Sequence, residues 1–301
     1  MRMPIRTVLT TLFAFFVLCA PGFAAVKLRH IVSVYQDALQ KGLKQPEGVA
    51  CGKDSLFVVA DTGNGRLVRY TFQRETLVAG PDMKVSQVSY PVRVQIDGRG
   101  DILALDERHR RIARLSPEGV FRGYVEPSGL PGASKLVPRS FKVARNGNLY
   151  VLDIFSANVV VLDAEGKFLK YIPFPGQYGF ISDLAVDPKE TVLLIDSVES
   201  VVYASPKDAN KFAPLTQSMK ENVNFPTSIT TDAKGTIYLV DQTGGDIVIV
   251  GQDGAFQGRL LAMGWKEGLL RYPSQLCINE DGELYIADRN NNRIQIFKIA
   301  E

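Results

Sequence analysis

Apolar and polar positions alternate in short runs along almost the whole chain. The run ending at Phe297 shows it well: Leu276 and Ile278 alternate with polar or small neighbours, which is the period of a strand. Asp281-Gly282 marks a tight turn into Leu284–Ala287, a nearly continuous apolar run expected of a strand covered on both faces. Asp288–Asn292 reads as a loop, and Ile294, Ile296 and Phe297 open a third strand. Elsewhere a fourth strand follows a hairpin, as in Ser116-Pro-Glu-Gly119 before Val120–Val125 and Asp163-Ala-Glu-Gly166 before Lys167–Ile172.

This unit repeats. Pro46, Pro91, Pro138, Pro226 and Pro273 each precede an aspartate by fifteen residues, and Asp196 keeps the spacing with Ile181 in the proline position. The aspartates Asp61, Asp106, Asp153, Asp196, Asp241 and Asp288 follow one another at 45, 47, 43, 45 and 47 residues. A period in the forties with strand filling predicts propeller blades, here an all-β, six-bladed β-propeller of four-stranded antiparallel blades. The last copy lacks its outer strand, and a spare strand-like run, Leu28–Tyr35, precedes the first. That N-terminal run is expected to complete the last blade and close the ring, removing an open sheet edge.

The segment Ala287-Asp-Arg-Asn-Asn-Asn-Arg-Ile-Gln-Ile-Phe297 resembles the signature of the NHL repeat family. Ala60-Asp-Thr-Gly-Asn-Gly-Arg66-Leu resembles it too, and Asp106-Glu-Arg-His-Arg-Arg111-Ile keeps its core. The resemblance spans about residues 44 to 300. It implies six-bladed propellers used as binding platforms or, in relatives, as lyase or lactonase scaffolds. Five residues after the aspartate, where the family has arginine, blades three to five carry Asn158, Val201 and Asp246; blade four has Asp187-Pro188-Lys-Glu in place of a glycine turn.

Composition narrows the setting. Arg2 and Arg6 precede the apolar run Val8–Leu18, and Gly22-Phe23-Ala24 fits a signal-peptidase site. Residues 1–24 are therefore expected to be a signal peptide and 25–301 one propeller domain, exported to a periplasm or beyond. Leu18 before Cys19 is larger than lipoprotein processing prefers, and the apolar run is short for a transmembrane span. Without Arg2 and Arg6, basic and acidic residues nearly balance, which gives no electrostatic case for nucleic acid or a membrane surface. A monomer is expected.

The six aspartates suggest a structural role, since an aspartate ending a strand accepts hydrogen bonds from its own turn. Arg66, Arg111 and Arg293, each opening a third strand, are expected to pair with the aspartate of their own or the adjacent blade. The two cysteines of the mature chain, Cys51 and Cys277, sit five and four residues after their prolines. They should point to opposite faces of their strands, which predicts buried free thiols rather than a bridge. With only His30 and His109, converging imidazoles for catalytic zinc cannot be assembled. No nucleophile elbow is present. No catalytic residue, metal ligand or cofactor is predicted, although a single calcium or other divalent ion held by carboxylate and amide oxygens stays open.

Function is then expected in the loops after the second strands and the residues leading into the first strands, which share one face. Arg108, His109, Arg110, Phe155, Arg289 and Asn290 are the candidate contacts, for a protein or peptide ligand of acidic character. The alternative is a metal-assisted lyase or lactonase with its site at the mouth of the central channel.

Overall fold

The computed structural model describes residues 26–131 and 135–300; the expected signal peptide lies outside them. The strands form six four-stranded antiparallel sheets. In five sheets spatial order follows chain order, as in blade one with Gly48–Cys51, Leu56–Asp61, Arg66–Gln73 and Thr76–Met83. The sixth combines Leu276–Ile278, Glu283–Asp288 and Arg293–Ala300 with the N-terminal strand Lys27–Val34 on its outer edge. Lys27 faces Ala300 and Val34 faces Ile294, with a register shift between His30 and Val32. The ring closes as the spare N-terminal run implies.

Blades pack face to face, and this explains the continuous apolar second strands. Every residue of Ile102–Asp106, Leu149–Asp153, Val192–Asp196 and Ile237–Asp241 is buried. Successive residues serve different interfaces. In blade two Ile102 and Ala104 pack with blade one, while Leu103 and Leu105 pack with blade three. A strand between two neighbours therefore needs apolar side chains on both faces. The six first strands contact one another in sequence around the ring and form its inner wall.

Two turns repeat with the blades. Four residues after each aspartate the backbone is left-handed: Gly65, Arg110, Ala157, Ser200, Gly245 and Asn292 all have φ between 50° and 68°. In blade four, where the turn glycine is missing, Glu190 takes φ 63° and its N–H still donates to the carbonyl of Asp187 at 3.0 Å.

The cysteine expectation is corrected. Cys51 and Cys277 form a disulfide, with Cα atoms 5.8 Å apart and a sequence separation of 226. They do point to opposite faces of equivalent strands, but adjacent blades meet through opposite faces. Cys51 looks back at blade six with Val49 and Phe57, and Cys277 looks forward at blade one with Tyr285 and Ala287, all in one apolar cluster. The same alternation that turns the sulfurs to opposite strand faces brings them together across the closure seam.

Candidate functional site

The loop face is held from beneath by the repeat aspartates. Each accepts backbone N–H bonds from the segment leading into its own blade: Lys44 to Asp61 and Val137 to Asp153 at 2.7 Å, and Arg271 to Asp288 at 2.7 Å. Asp106 takes Ser89 and Tyr90, Asp196 takes Gly179 and Phe180, and Asp241 takes Asn224 and Phe225. Most also accept from their own turn, for example from His109, Ser156, Glu199 and Gly244. Burial pushes the Asp106 carboxyl up, but the N–H groups of Tyr90, His109 and Ser89 outweigh it and hold it below its ordinary range.

The arginines fix the connectors between blades. Buried Arg66 pairs with Asp61 at 2.7 Å, with Asp37 and with Asp82 at 3.1 Å, and reaches the Lys41 carbonyl at 3.3 Å. It thereby rivets the 35–45 connector to blade one. Arg293 pairs with Asp288 at 2.7 Å and donates to the Lys266 and Leu269 carbonyls at 2.7 and 2.9 Å, which holds the 261–272 connector. Gln295 adds bonds from its amide to Leu269 and Asp288. Arg111 departs from the expected pairing with aspartate. His109 Nδ1 lies 2.9 Å from Asp106, while Arg111 is about half exposed, pairs with Glu126 and stacks on Tyr124 at 4.0 Å. In blade five Arg259, on the fourth strand, bonds Asp246 and the Asn222 carbonyl and so anchors the 215–225 connector.

These anchored connectors raise apolar side chains into solvent. Leu39 is 83% exposed, Trp265 76% and Phe155 71%, and Met263, Tyr178, Val198, Ile154 and Tyr272 are also exposed on this face. The candidate contacts do not gather at one point. Arg108 is exposed on blade two, sits 5.4 Å over the Tyr90 ring, and borders a cavity of about 500 Å³ with Lys84, Ser86, Ser89 and Asn64. Arg110 is exposed with its backbone in the left-handed turn position. Phe155 stands on blade three. Asn290 donates its backbone N–H to the Arg271 carbonyl on blade six.

Arg289 alone among them reaches the channel mouth. Its Nε lies 3.0 Å from Glu47 Oε1. Burial is the main cause that raises the Glu47 carboxyl above its ordinary value; Arg289 and Arg93 pull it down and Glu107 pushes it up. Arg139 feels Glu107 and Arg93 in turn, stacks on Phe180 at 4.1 Å, and is lowered chiefly by burial. Five charged groups from blades one, two, three and six thus share the upper end of the inner wall. Arg93 Nε and Arg139 Nε are buried there without a hydrogen-bond partner among the described residues, and Arg289 Nε, though ion-paired with Glu47, lacks hydrogen-bond geometry to it. Sequence reasoning missed Glu47 and Arg93 as site residues, and it placed Arg139 on the loop face as a strand-entry residue without counting it among the candidate contacts. The signal was present one or two residues after the repeat proline, where other blades carry Ser182, Thr227, Ser228 or Ser274.

Deeper in the ring, Asp183 accepts from Ser140 Oγ at 2.5 Å, Ser228 Oγ at 2.7 Å and Ile229 N at 3.1 Å. Lys142 is half-buried on the inner strand of blade three, and burial lowers its amine while Asp183 opposes the shift. Among the described residues no three His, Cys, Asp or Glu side chains gather as a metal-binding group. No helix among them is long and apolar enough to cross a membrane.

The family model of the NHL repeat matches residues 270–297, which is the sixth blade. No curated protein matches the sequence. The fold is shared with solved propellers of low identity. A gluconolactonase of Xanthomonas campestris is 14% identical, with 93% of this chain and 96% of that one covered and a TM-score of 0.67. A streptogramin B lyase is 13% identical, with 91% and 98% covered and a TM-score of 0.62. A chain from the nidogen–laminin complex is 15% identical, with 78% and 92% covered and a TM-score of 0.56.

Proposed function

We propose that this protein is an exported, non-catalytic binding platform that engages a protein or peptide through its loop face. The observation that carries the reading is the conjunction of exposure and anchoring. Trp265, the largest exposed apolar side chain, stands on a connector tied down by buried Arg293 and Gln295. Leu39 stands on one tied down by Arg66. Exposed apolar side chains on rigid supports bind with little ordering cost, and large aromatic anchors carry much of an interface's energy.

The test is partner binding by the mature chain compared with Trp265→Ser and Phe155→Ser, which change exposed tips and leave the core intact. Loss of a central aromatic anchor costs about 2 kcal/mol, or roughly a thirtyfold weaker complex. Unchanged affinity in both variants would remove the loop-face assignment.

A second reading, a lyase or lactonase working at the channel mouth, is favoured by one local observation besides the shared fold. Glu47 is a carboxylate raised by burial beside arginines, the environment of a general acid or base. That reading predicts turnover lost in Glu47→Gln with the loop-face tips dispensable, the reverse of the platform.

A further inference from the structure

We propose that the channel mouth is a carboxylate-binding site in which Arg93 and Arg139 take an acidic group of the partner. This deepens the platform reading and rests on it only for the source of the carboxylate.

Three guanidinium groups, Arg93, Arg139 and Arg289, meet two carboxylates, Glu47 and Glu107. Glu47 is committed to Arg289 at 3.0 Å. Glu107, on the exposed rim, acts on Arg139. An arginine is a planar fork of five donors. In Arg93 the Nη1 donates to the carbonyl of Val92 at 3.1 Å, and that bond does not engage the Nε. Arg139 is fixed in orientation by the Phe180 ring rather than by an acid. The two like charges are electrostatic neighbours, and each has its Nε buried without a partner among the described residues. Thr227 Oγ1, one residue after the corresponding proline of blade five, is buried in the same state.

Buried unmet donors and adjacent like charges both cost stability. One ligand feature relieves both together: an anion with two coplanar oxygens, which matches the fork bidentately. A carboxylate has that shape. The stacking of Arg139 on Phe180 holds its fork in place before the ligand arrives, so little side-chain entropy is lost on binding. The site lies inside the ring of exposed apolar tips, so an acidic side chain or a free chain terminus of a peptide lying across the face would enter it.

The probes are three short peptides of one sequence, acetyl-Gly-Phe-X, titrated into the mature chain. X is glutamate amide, glutamine amide, or glutamine with a free terminus. The readout is the Arg Nε–Hε resonances together with affinity. The Arg93 and Arg139 resonances are expected to shift saturably with the acids. An acid should also bind at least tenfold more tightly than the amide control, and this preference should vanish in Arg139→Gln and Arg93→Gln. The glutamate amide and the free terminus distinguish the two sources. Equal binding of acid and amide, or a preference surviving both substitutions, overturns the proposal. The wild-type resonances decide the question even if a variant fails to fold. A carboxylate preference without any protein partner would leave this site standing and remove the platform. A partner lost in Trp265→Ser but retained in Arg93→Gln and Arg139→Gln would do the opposite.

Discussion

Replacing Cys51 and Cys277 together by serine should destabilise the propeller substantially without altering its shape. The bridge spans 226 residues. In the chain-entropy account, a loop of that length removes about 5 kcal/mol of freedom from the unfolded chain at 25 °C, and measured values commonly fall nearer 2–4 kcal/mol. In the folded ring the seam has other support: the Lys27–Val34 strand pairs along the last blade, and Val49 N donates to Gln275 Oε1 at 3.2 Å. The native state should therefore survive, and the loss should appear in the unfolding equilibrium. For a domain of about 270 residues, 2–4 kcal/mol corresponds to a drop of roughly 4–7 °C in melting temperature. The assay is paired thermal and urea unfolding of the oxidised mature protein and the double-serine variant, with a thiol titration of the denatured chain. No free thiol is expected in the mature wild type, and a lowered midpoint is expected in the variant. Two free thiols, or coincident midpoints, would refute the reasoning that opposed strand faces meet across the seam.

Other consequences are as direct. Arg66→Met should cost about 3–5 kcal/mol in urea unfolding, because it leaves the buried carboxylates of Asp61 and Asp37 without their cation. Arg293→Met should loosen the 261–272 connector, seen as faster amide exchange at Leu269 and Leu270 and as weakened partner binding with Trp265 itself unchanged. The Asp106 and Asp37 carboxyls are held below their ordinary values, so their contribution to stability is complete above about pH 4 and is lost as pH falls through the lowered values. Glu47 is raised and works in the opposite sense, favouring the fold as it protonates, so Glu47→Gln should raise the melting temperature at pH 7 more than at pH 4. A melting temperature in Arg66→Met equal to wild type, unchanged exchange in Arg293→Met, or a wild-type stability that is flat from pH 5 to pH 2 would contradict the corresponding statement.

The fold is legible in the sequence because each blade must hide two faces. That requirement writes the apolar second strands, and the fifteen-residue spacing from Pro to Asp marks where each strand meets its loop. Closure is legible from two fragments that each lack a partner, Leu28–Tyr35 and the unfinished last blade. The disulfide is not, because strand periodicity applies within a blade while Cys51 and Cys277 meet across an interface between blades. The site is only partly visible. Arg108, His109 and Arg110 stand out as a run of charge, yet His109 turns to Asp106 and Arg110 occupies a left-handed turn. The mouth is built from single residues on separate blades, Glu47, Arg93 and Arg139, which no local motif joins. The side-by-side packing of successive inner strands brings them together, so comparing equivalent positions among repeats would have found them.

The most direct test of the platform is quantitative binding of a partner to the mature propeller, scored against Trp265→Ser, Phe155→Ser and Glu47→Gln in parallel. The platform predicts a saturable complex weakened roughly thirtyfold by loss of an aromatic tip and little changed in Glu47→Gln. Turnover of a small substrate that Glu47→Gln abolishes and both tip variants leave intact would contradict it.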